Sequence, residues 1–158
     1  PLTHRICLVP YVDSNHIFHF EPIFRNLTDG DTPIRIGRLS GHSALDARST
    51  NEITFETRVL SRLHAEIWSD NGNIYIKDTK SSSGTFLNHV HISCPGSESA
   101  PYQLKDGDFV QLGVDYQGGM EDIYKSVRIQ IEIGRDFAQV CSPFSLSIQS
   151  TFKSFSTG

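Results

Sequence analysis

Short runs in which apolar and polar residues alternate constrain this chain more than any other feature of its sequence. The clearest run contains Val127, Ile129, Ile131 and Ile133, separated by single polar residues. A period of two places every apolar side chain on one face of an extended strand. No segment of the 158 residues shows a convincing helical period. The sequence therefore predicts an all-β chain.

Further runs of this kind are closely spaced and are bounded by turn residues. They read RICLVPYV, HIFHFEPI, PIRIGR, EITFETRVLS, LHAEIWS, NIYIKD, DFVQLGV and YKSVRIQIEIG. Asp70-Asn71-Gly72 separates LHAEIWS from NIYIKD and favours a hairpin, because Asn-Gly readily takes positive φ. Many short strands joined by turns are typical of a two-sheet β-sandwich.

The strand-rich part of the chain ends near residue 134. We predict one domain over residues 1–134 and a Ser/Phe-rich C-terminal extension or linker over residues 135–158. Two long inter-strand loops, 39–51 and 89–103, interrupt the domain, and such loops tend to be functional or mobile. The sequence begins at Pro1, as expected of a fragment or a processed product.

Composition argues against several classes of function. The net charge is −4, whereas a dedicated nucleic-acid binder needs a basic surplus to neutralise phosphates. No apolar run reaches the roughly 18 residues that span a bilayer, and no secretory leader is visible, so we expect no membrane insertion. The three cysteines, Cys7, Cys94 and Cys141, are far apart and form no zinc motif, which favours free thiols in an intracellular setting.

Three groups of polar residues, here called the polar stations, lie at predicted strand ends. They are Gly37-Arg38, Ser61-Arg62-Leu63-His64 and Ser81-Ser82-Ser83-Gly84-Thr85. Loops at one end of a sandwich lie close together, so the stations can offer guanidinium groups, hydroxyls and backbone N–H groups to one ligand. That inventory suits a tetrahedral dianion such as a phosphate ester. Arginine is suited to it because its planar fork donates two parallel hydrogen bonds.

The order of the stations resembles the forkhead-associated (FHA) domain. The matching pattern is Gly-Arg, then Ser-Arg-x-His, then Asp-x-x-Ser-Ser-x-Gly-Thr-x-x-Asn, within roughly residues 6–133. The resemblance implies a two-sheet β-sandwich that binds phosphothreonine in short, extended peptides. It therefore implies that the partners are phosphothreonine-containing proteins.

The same resemblance implies a role for the residues of the first two stations and for Ser82 of the third. Arg38 would be the main phosphate ligand, with Ser61, Arg62 and Ser82 as further donors. Gly37 would allow a turn, and His64 would brace the binding loops without touching the ligand.

The third station departs from the family pattern at one position. Ser83 stands where the family usually has an asparagine that holds the peptide backbone, which predicts a weaker contact. Gly84, Thr85 and Asn88 match loop-shaping residues. His89 replaces a common glycine, so we expect a different turn there. The preference three residues after the phosphothreonine would depend on the loops 39–59 and 83–89.

Finer features resemble the FHA domains of fungal Dma-type ubiquitin ligases, which carry a RING domain after the FHA domain. They are VLSRLHA, DTKSSSGTFLN, the Ser/Pro-containing insert and LKDGDFVQLGVDYQGGMEDIYKSVRIQIE. The resemblance implies substrate targeting for a RING-type E3 ligase in mitotic checkpoint and cytokinesis control. It also implies a cytoplasmic, nuclear or spindle-pole location and a ubiquitin-conjugating enzyme as the partner of the RING domain. No cofactor is expected in this fragment, and zinc only in a following RING domain.

Other interpretations stay open at this point. Phosphatase–kinase scaffolds of the sarcolemmal membrane-associated protein type share much of the pattern, and an FHA domain can also serve assembly without phosphate. Ser61, His64 and Asp78 are triad residue types, but no nucleophile elbow is present, so no catalysis is expected in this fragment. Asp78 and Asp106-Gly107-Asp108 indicate turns rather than a metal site.

Overall fold

Eleven strands and one short helix make up the part of the chain that the computed structural model describes, residues 2–12, 18–39 and 51–134. The strands are β1 (Thr3–Pro10), β2 (Ile23–Thr28), β3 (Ile34–Arg38), β4 (Glu52–Phe55), β5 (Ala65–Asp70), β6 (Asn73–Asp78), β7 (Thr85–Leu87), β8 (Val90–His91), β9 (Tyr102–Leu104), β10 (Phe109–Leu112) and β11 (Val127–Ile133). A 3-10 helix, Asp122–Tyr124, lies between β10 and β11.

The strands form two sheets. One has six strands in the order β2-β1-β11-β10-β7-β8, and the other has five in the order β4-β3-β5-β6-β9. Neighbouring strands are antiparallel except β3 and β4, which pair in parallel. The all-β, two-sheet sandwich predicted from the alternating runs is therefore confirmed.

A single apolar core lies between the sheets. On β11 the alternating Val127, Ile129 and Ile131 are at most 1% exposed, and they pack with Ile36 and Ile76 of the opposite sheet. The period of two that is visible in the sequence is thus the period of side chains entering the core.

The predicted hairpin between β5 and β6 is confirmed. Asp70 pairs with Asn73, which leaves Asn71 and Gly72 as a two-residue loop. Their φ angles are 50° and 81°, as both central residues of a type I′ turn require.

The predicted strand HIFHFEPI is wrong in its described part. Residues 18–22 are not a strand, and β2 begins only at Ile23. Phe18 and Phe20 instead pack edge-on against Phe55, with ring centroids 6.1 and 5.0 Å away. The two rings anchor a connecting segment in the core. A periodic pattern alone does not distinguish such a segment from a strand.

Other differences concern the ends of strands and the very short elements. EITFETRVLS is strand only over β4, because the chain turns after Phe55, where the N–H of Thr57 donates to the Phe55 carbonyl. Strands β7, β8 and β9 have two or three residues each, too few to show a period. The central part of the predicted loop 39–51 and the predicted extension 135–158 lie outside the described residues.

Candidate functional site

Gly37 is required by a close approach of two backbone segments. It lies inside β3 rather than in a turn, so the reason predicted for this glycine is wrong. A Cβ at this position would lie 1.8 Å from the carbonyl oxygen of Arg62. Next to it, the N–H of Arg38 donates to the Ser61 carbonyl at 2.9 Å. The missing side chain of Gly37 therefore lets the second polar station lie directly against the first.

His64 joins the second station to the third. Its imidazole is completely buried; Nδ1 accepts from the N–H of Ser61 at 3.1 Å, and Nε2 lies 2.7 Å from the Gly84 carbonyl. Because a carbonyl only accepts, Nε2 must carry the proton. Burial lowers the pKa of His64 below its ordinary value, although the Gly84 carbonyl and the charge of Asp78 oppose this shift. The imidazole is thus held neutral, as a brace between two loops.

A buried carboxylate organises the third station, and this structural role was not visible in the sequence. Asp78, at the end of β6, accepts from the N–H of Ser81 at 2.8 Å, from the Ser81 hydroxyl and from the Thr85 hydroxyl at 2.7 Å. The Ser81 oxygen in turn accepts from the N–H of Gly84 at 3.0 Å. Asp78, Ser81 and Thr85 are all at most 1% exposed, so this network fixes the loop from below.

Ser82 and Ser61 meet at the surface above this network. The N–H of Ser82 donates to the Ser61 oxygen at 3.1 Å, and the two hydroxyl oxygens are 3.4 Å apart. Ser61 is half-buried and Ser82 exposed. Either hydroxyl can be the donor in the contact between the two oxygens, so one of the two hydroxyl protons stays available to a ligand.

Three arginines are near this pair of hydroxyls along the chain or through other contacts: Arg62 follows Ser61, the N–H of Arg38 bonds to the Ser61 carbonyl, and Arg58 lines a groove together with Ser82. Arg38 is half-buried, whereas Arg58 and Arg62 are exposed. None of the three guanidinium groups makes a hydrogen bond or ion pair with a residue in the described ranges. They are uncommitted cationic donors, which is what an anionic ligand requires.

Ser83 and Asn88, two predicted peptide-contacting or loop-shaping residues, bond within the protein. The Ser83 hydroxyl donates to the Val59 carbonyl. The Asn88 side chain donates to Asp108 at 3.1 Å and accepts from the N–H of Phe109 at 2.9 Å. Ser83 thus fastens the third station to the loop before Ser61, whereas Asn88 bonds at the far end of β7.

The turn at His89 keeps a left-handed conformation. Asn88 and His89 have φ angles of 49° and 71° and link β7 to β8 through a two-residue loop. Positive φ at both loop residues is also what an Asn-Gly hairpin requires. The His89 ring stacks on Phe109 with centroids 4.8 Å apart, a contact that a glycine lacks.

A groove of about 640 Å³ runs from the third station along the connection between β10 and β11. Its lining comprises Arg58, Val59, Ser82, Ser83, Val114, Asp115, Tyr116, Gln117 and Tyr124. Two serines of the third station thus belong both to the polar site and to a mainly apolar groove. Sequence reasoning named the loops 39–59 and 83–89 for this region but missed residues 114–124, which are brought there only by the fold.

Comparison with known proteins identifies the family. Residues 34–113 match the family model described as the FHA domain. This is half of the chain, and it contains all three polar stations. The chain belongs to the FHA domain family.

Named relatives of this FHA domain include fungal ubiquitin ligases. The chain is 40% identical over 145 residues to the probable E3 ubiquitin-protein ligase dma1 of Schizosaccharomyces pombe, which covers 90% of the chain and 54% of the relative. It is 41% identical over 150 residues to the E3 ubiquitin-protein ligase DMA2 of Saccharomyces cerevisiae, over 89% of the chain and 28% of the relative. The predicted resemblance to the Dma-type ligases is confirmed, although the chain spans only about half or less of their length.

A second kind of relative matches a shorter part. The sarcolemmal membrane-associated protein of Oryctolagus cuniculus is 46% identical over 88 residues, which is 54% of this chain and 11% of the relative.

Solved FHA structures share the fold. The kinase-interacting FHA domain of an Arabidopsis kinase associated protein phosphatase has a TM-score of 0.54 and 17% identity, over 85% of this chain and 98% of its own. The N-terminal FHA domain of Rad53p from S. cerevisiae, solved in complex with a phosphothreonine peptide, has a TM-score of 0.51 and 18% identity, over 84% of this chain and 94% of its own.

The triad residue types of this FHA domain do not form a triad. His64 bonds to the backbone N–H of Ser61 rather than to its hydroxyl. The Asp78 carboxylate bonds to Ser81 and Thr85, and no bond to the His64 ring is found among the described residues. The proton relay that activates a serine needs both of the missing contacts.

Three further observations concern the acidic turn, groups of potential metal ligands and the helices of the described ranges. Gly107, with φ at 90°, lies in a turn in which the N–H of Asp108 donates to the Lys105 carbonyl at 3.0 Å. Within the described ranges, no group of three His, Cys, Asp or Glu residues could hold a metal ion. No helix in the part of the chain that the structure describes is long and apolar enough to cross a membrane.

Proposed function

We propose that this FHA domain binds phosphothreonine in peptides of partner proteins. The observation that carries the proposal is a set of hydrogen-bond donors brought together where the three polar stations meet. These donors are the guanidinium groups of Arg38 and Arg62, which have no partner in the described ranges, and the hydroxyls of Ser61 and Ser82, whose mutual contact leaves one of their two protons for a ligand. A phosphate ester brings about two negative charges and three acceptor oxygens, which match these donors in number and sign.

The free energy of binding that these hydrogen bonds supply is sufficient for a signalling complex. A hydrogen bond to a charged group contributes roughly 1.5–3 kcal/mol, so three of them contribute about 5–9 kcal/mol. A micromolar complex needs about 8 kcal/mol. Binding of the unphosphorylated peptide is then too weak to matter.

Calorimetric titration with an oriented phosphothreonine peptide pool tests the proposal. Arg38→Ala should abolish micromolar binding, because it removes the main cationic donor. Arg35→Ala is the matched control: Arg35 lies three residues earlier on β3, is 56% exposed and pairs with Glu52, away from the stations. Equal binding by both variants, or binding that does not depend on the phosphate, would refute the proposal.

Selectivity for threonine over serine rests on one methyl group. Burial of a methyl contributes about 0.8 kcal/mol, which is roughly a fourfold preference. A larger ratio in the same titration with phosphoserine peptides requires a tight wall around the methyl. The rigid third station, held by Asp78 and His64, is the part of the site suited to provide it.

The groove is proposed to receive a peptide residue beyond the phosphothreonine. It is continuous with the site through Ser82 and Ser83, and Val59, Tyr116 and Tyr124 supply apolar lining. An aliphatic or aromatic side chain three places after the phosphothreonine is the expected occupant. The oriented pool tests this position directly, and selection of acidic residues there would contradict it.

For the whole protein we propose that the domain is the substrate-targeting part of a RING-type E3 ubiquitin ligase, acting inside the cell in mitotic checkpoint and cytokinesis control. Support comes from the two fungal relatives, one named as a probable E3 ubiquitin-protein ligase and the other as an E3 ubiquitin-protein ligase, each about 40% identical over about nine-tenths of this chain. The test is transfer of ubiquitin by the full-length protein, with zinc and a ubiquitin-conjugating enzyme, to a phosphorylated and an unphosphorylated substrate. Transfer that ignores phosphorylation and Arg38→Ala would contradict it.

The similarity to the sarcolemmal membrane-associated protein supports a second candidate. That relative is 46% identical, but over only 88 residues. A scaffold of this type would bind phosphothreonine without ubiquitin transfer, and an assembly scaffold that ignores phosphate would not respond to Arg38→Ala. The two experiments above therefore separate all three functions.

A further inference from the structure

Thr57 is a buried threonine that precedes Arg58 in the chain and is not itself among the residues that line the groove. It is 2% exposed, and its hydroxyl oxygen lies 2.7 Å from the Lys125 carbonyl and 3.1 Å from the Ile123 carbonyl. Both acceptors are more than 60 residues further along the chain. One hydroxyl proton shared between two carbonyls ties the loop after β4 to the connection between β10 and β11.

The neighbouring residue adds to this junction. The N–H of Arg58 donates to the Ile123 carbonyl at 2.6 Å. Thr57 and Arg58 therefore bind the region of the 3-10 helix through the backbone carbonyls of that region. Both hydrogen bonds of the Thr57 hydroxyl are part-buried, so the loss of the hydroxyl leaves two partly buried carbonyls without this donor, which is costly.

The connection that Thr57 holds is itself internally closed. Asp115 accepts from both the N–H and the hydroxyl of Ser126 at 2.9 Å. The N–H of Tyr116 donates to the Tyr124 carbonyl at 2.8 Å, and the two tyrosine rings are 5.2 Å apart. These contacts tie Tyr116 and Tyr124 to each other, so a change at the Thr57 junction should move the two tyrosines together.

The two walls of the groove belong to the two segments that Thr57 joins. Arg58 and Val59 form one wall, and Tyr116 and Tyr124 form the other. The spacing between the walls thus depends on the Thr57 junction, whereas the loops that carry Ser61 and Ser82 are held by His64 and Asp78.

We propose that Thr57 is a positioning residue that sets the width of the groove and so the preference for the peptide residue bound there. The inference rests on the proposed function of the site. It predicts that peptide selectivity can be lost without loss of phosphate recognition.

Two variants separate the hydroxyl from the shape of the side chain. Thr57→Val keeps the branched shape but removes the donor, whereas Thr57→Ser keeps the donor. Each is titrated with two phosphothreonine peptides that differ only at the position selected by the groove, one with leucine and one with alanine. Leucine has three more side-chain carbons than alanine, and an open groove buries about half of their surface, so the wild-type ratio of the two affinities should be about tenfold.

For Thr57→Val we expect the ratio of the two affinities to fall to about two or less. For Thr57→Ser we expect it to stay near the wild-type value. Dependence on phosphate should persist in both variants. An unchanged ratio in Thr57→Val, or equal weakening of both peptides, would overturn the inference. If Thr57→Val does not fold, Thr57→Ala is measured in the same way, since it also lacks the donor.

Amide hydrogen exchange of the ligand-free protein supplies a readout that needs no peptide. The N–H groups of Arg58 and Tyr116 should exchange faster in Thr57→Val than in the wild type or in Thr57→Ser. Unchanged exchange would refute the junction. If the wild type binds no phosphothreonine peptide, the proposed function fails, while the exchange result still decides whether Thr57 holds the two walls.

Discussion

Replacing Gly37 by alanine should be among the most damaging single-methyl changes in the domain. The new Cβ would lie 1.8 Å from the Arg62 carbonyl oxygen, whereas real Cβ contacts essentially never fall below 3.0 Å. The loop or the strand must therefore move by roughly 1 Å or more, and closely packed interiors resist such shifts.

The cost follows from what the shift disrupts. Two backbone hydrogen bonds hold the loop to β3: Arg38 N–H to the Ser61 carbonyl at 2.9 Å, and His64 N–H to the Ile36 carbonyl at 2.8 Å. Their loss costs about 1 kcal/mol each, and overpacking adds about 1–3 kcal/mol. We expect the free energy of unfolding to fall by about 3–5 kcal/mol, together with loss of peptide binding.

Urea unfolding measures this cost, and Gly30→Ala is the matched control. Gly30 has φ at 86°, and no atom lies within 4 Å of the position that an alanine methyl would take there. Alanine at Gly30 therefore costs only the left-handed conformation, about 1–2 kcal/mol. Gly37 needs no such conformation, since its φ is not positive. If Gly37→Ala costs no more than Gly30→Ala, the close approach is not what requires this glycine.

Two further predictions concern the groups that hold the third station. Asp78→Ala should lower the free energy of unfolding by about 3–5 kcal/mol, because it leaves the buried donors of Ser81 and Thr85 without their acceptor. The exposed Asp31→Ala should change it by less than about 0.5 kcal/mol, and similar values for both in urea unfolding would contradict the network. Burial lowers the pKa of His64 in the folded state below its ordinary value of 6.5. As the pH falls through about 6.5, the unfolded chain therefore binds more protons than the folded protein. Stability is then fully present above about pH 6.5 and falls with decreasing pH, by at most about 1.4 kcal/mol per pH unit. This component should be absent from His64→Gln, and parallel stability–pH curves for variant and wild type would argue against a neutral His64 brace.

Local sequence patterns were sufficient to predict the sheet-forming runs and the residue types of the site. The alternation ending at Ile133 and the Asn71-Gly72 turn are properties of neighbouring residues, and the strand and the hairpin lie where these patterns predict. The polar stations were also visible, because each is a short contiguous motif. What misled the sequence reading was the Phe18–Phe20 alternation, whose aromatic rings enter the core from a connecting segment.

Only the tertiary structure decided how the stations work together. The contact of Gly37 with the Arg62 backbone, the protonated nitrogen of His64 and the junction at Thr57 all join residues from different loops. Thr57 and Lys125 are 68 residues apart, so no local propensity reports their hydrogen bond. The sequence alone determined which donors the chain carries, since that is a matter of residue type. The fold determined which of them are used up internally and which are left for a ligand, because that depends on how segments pack.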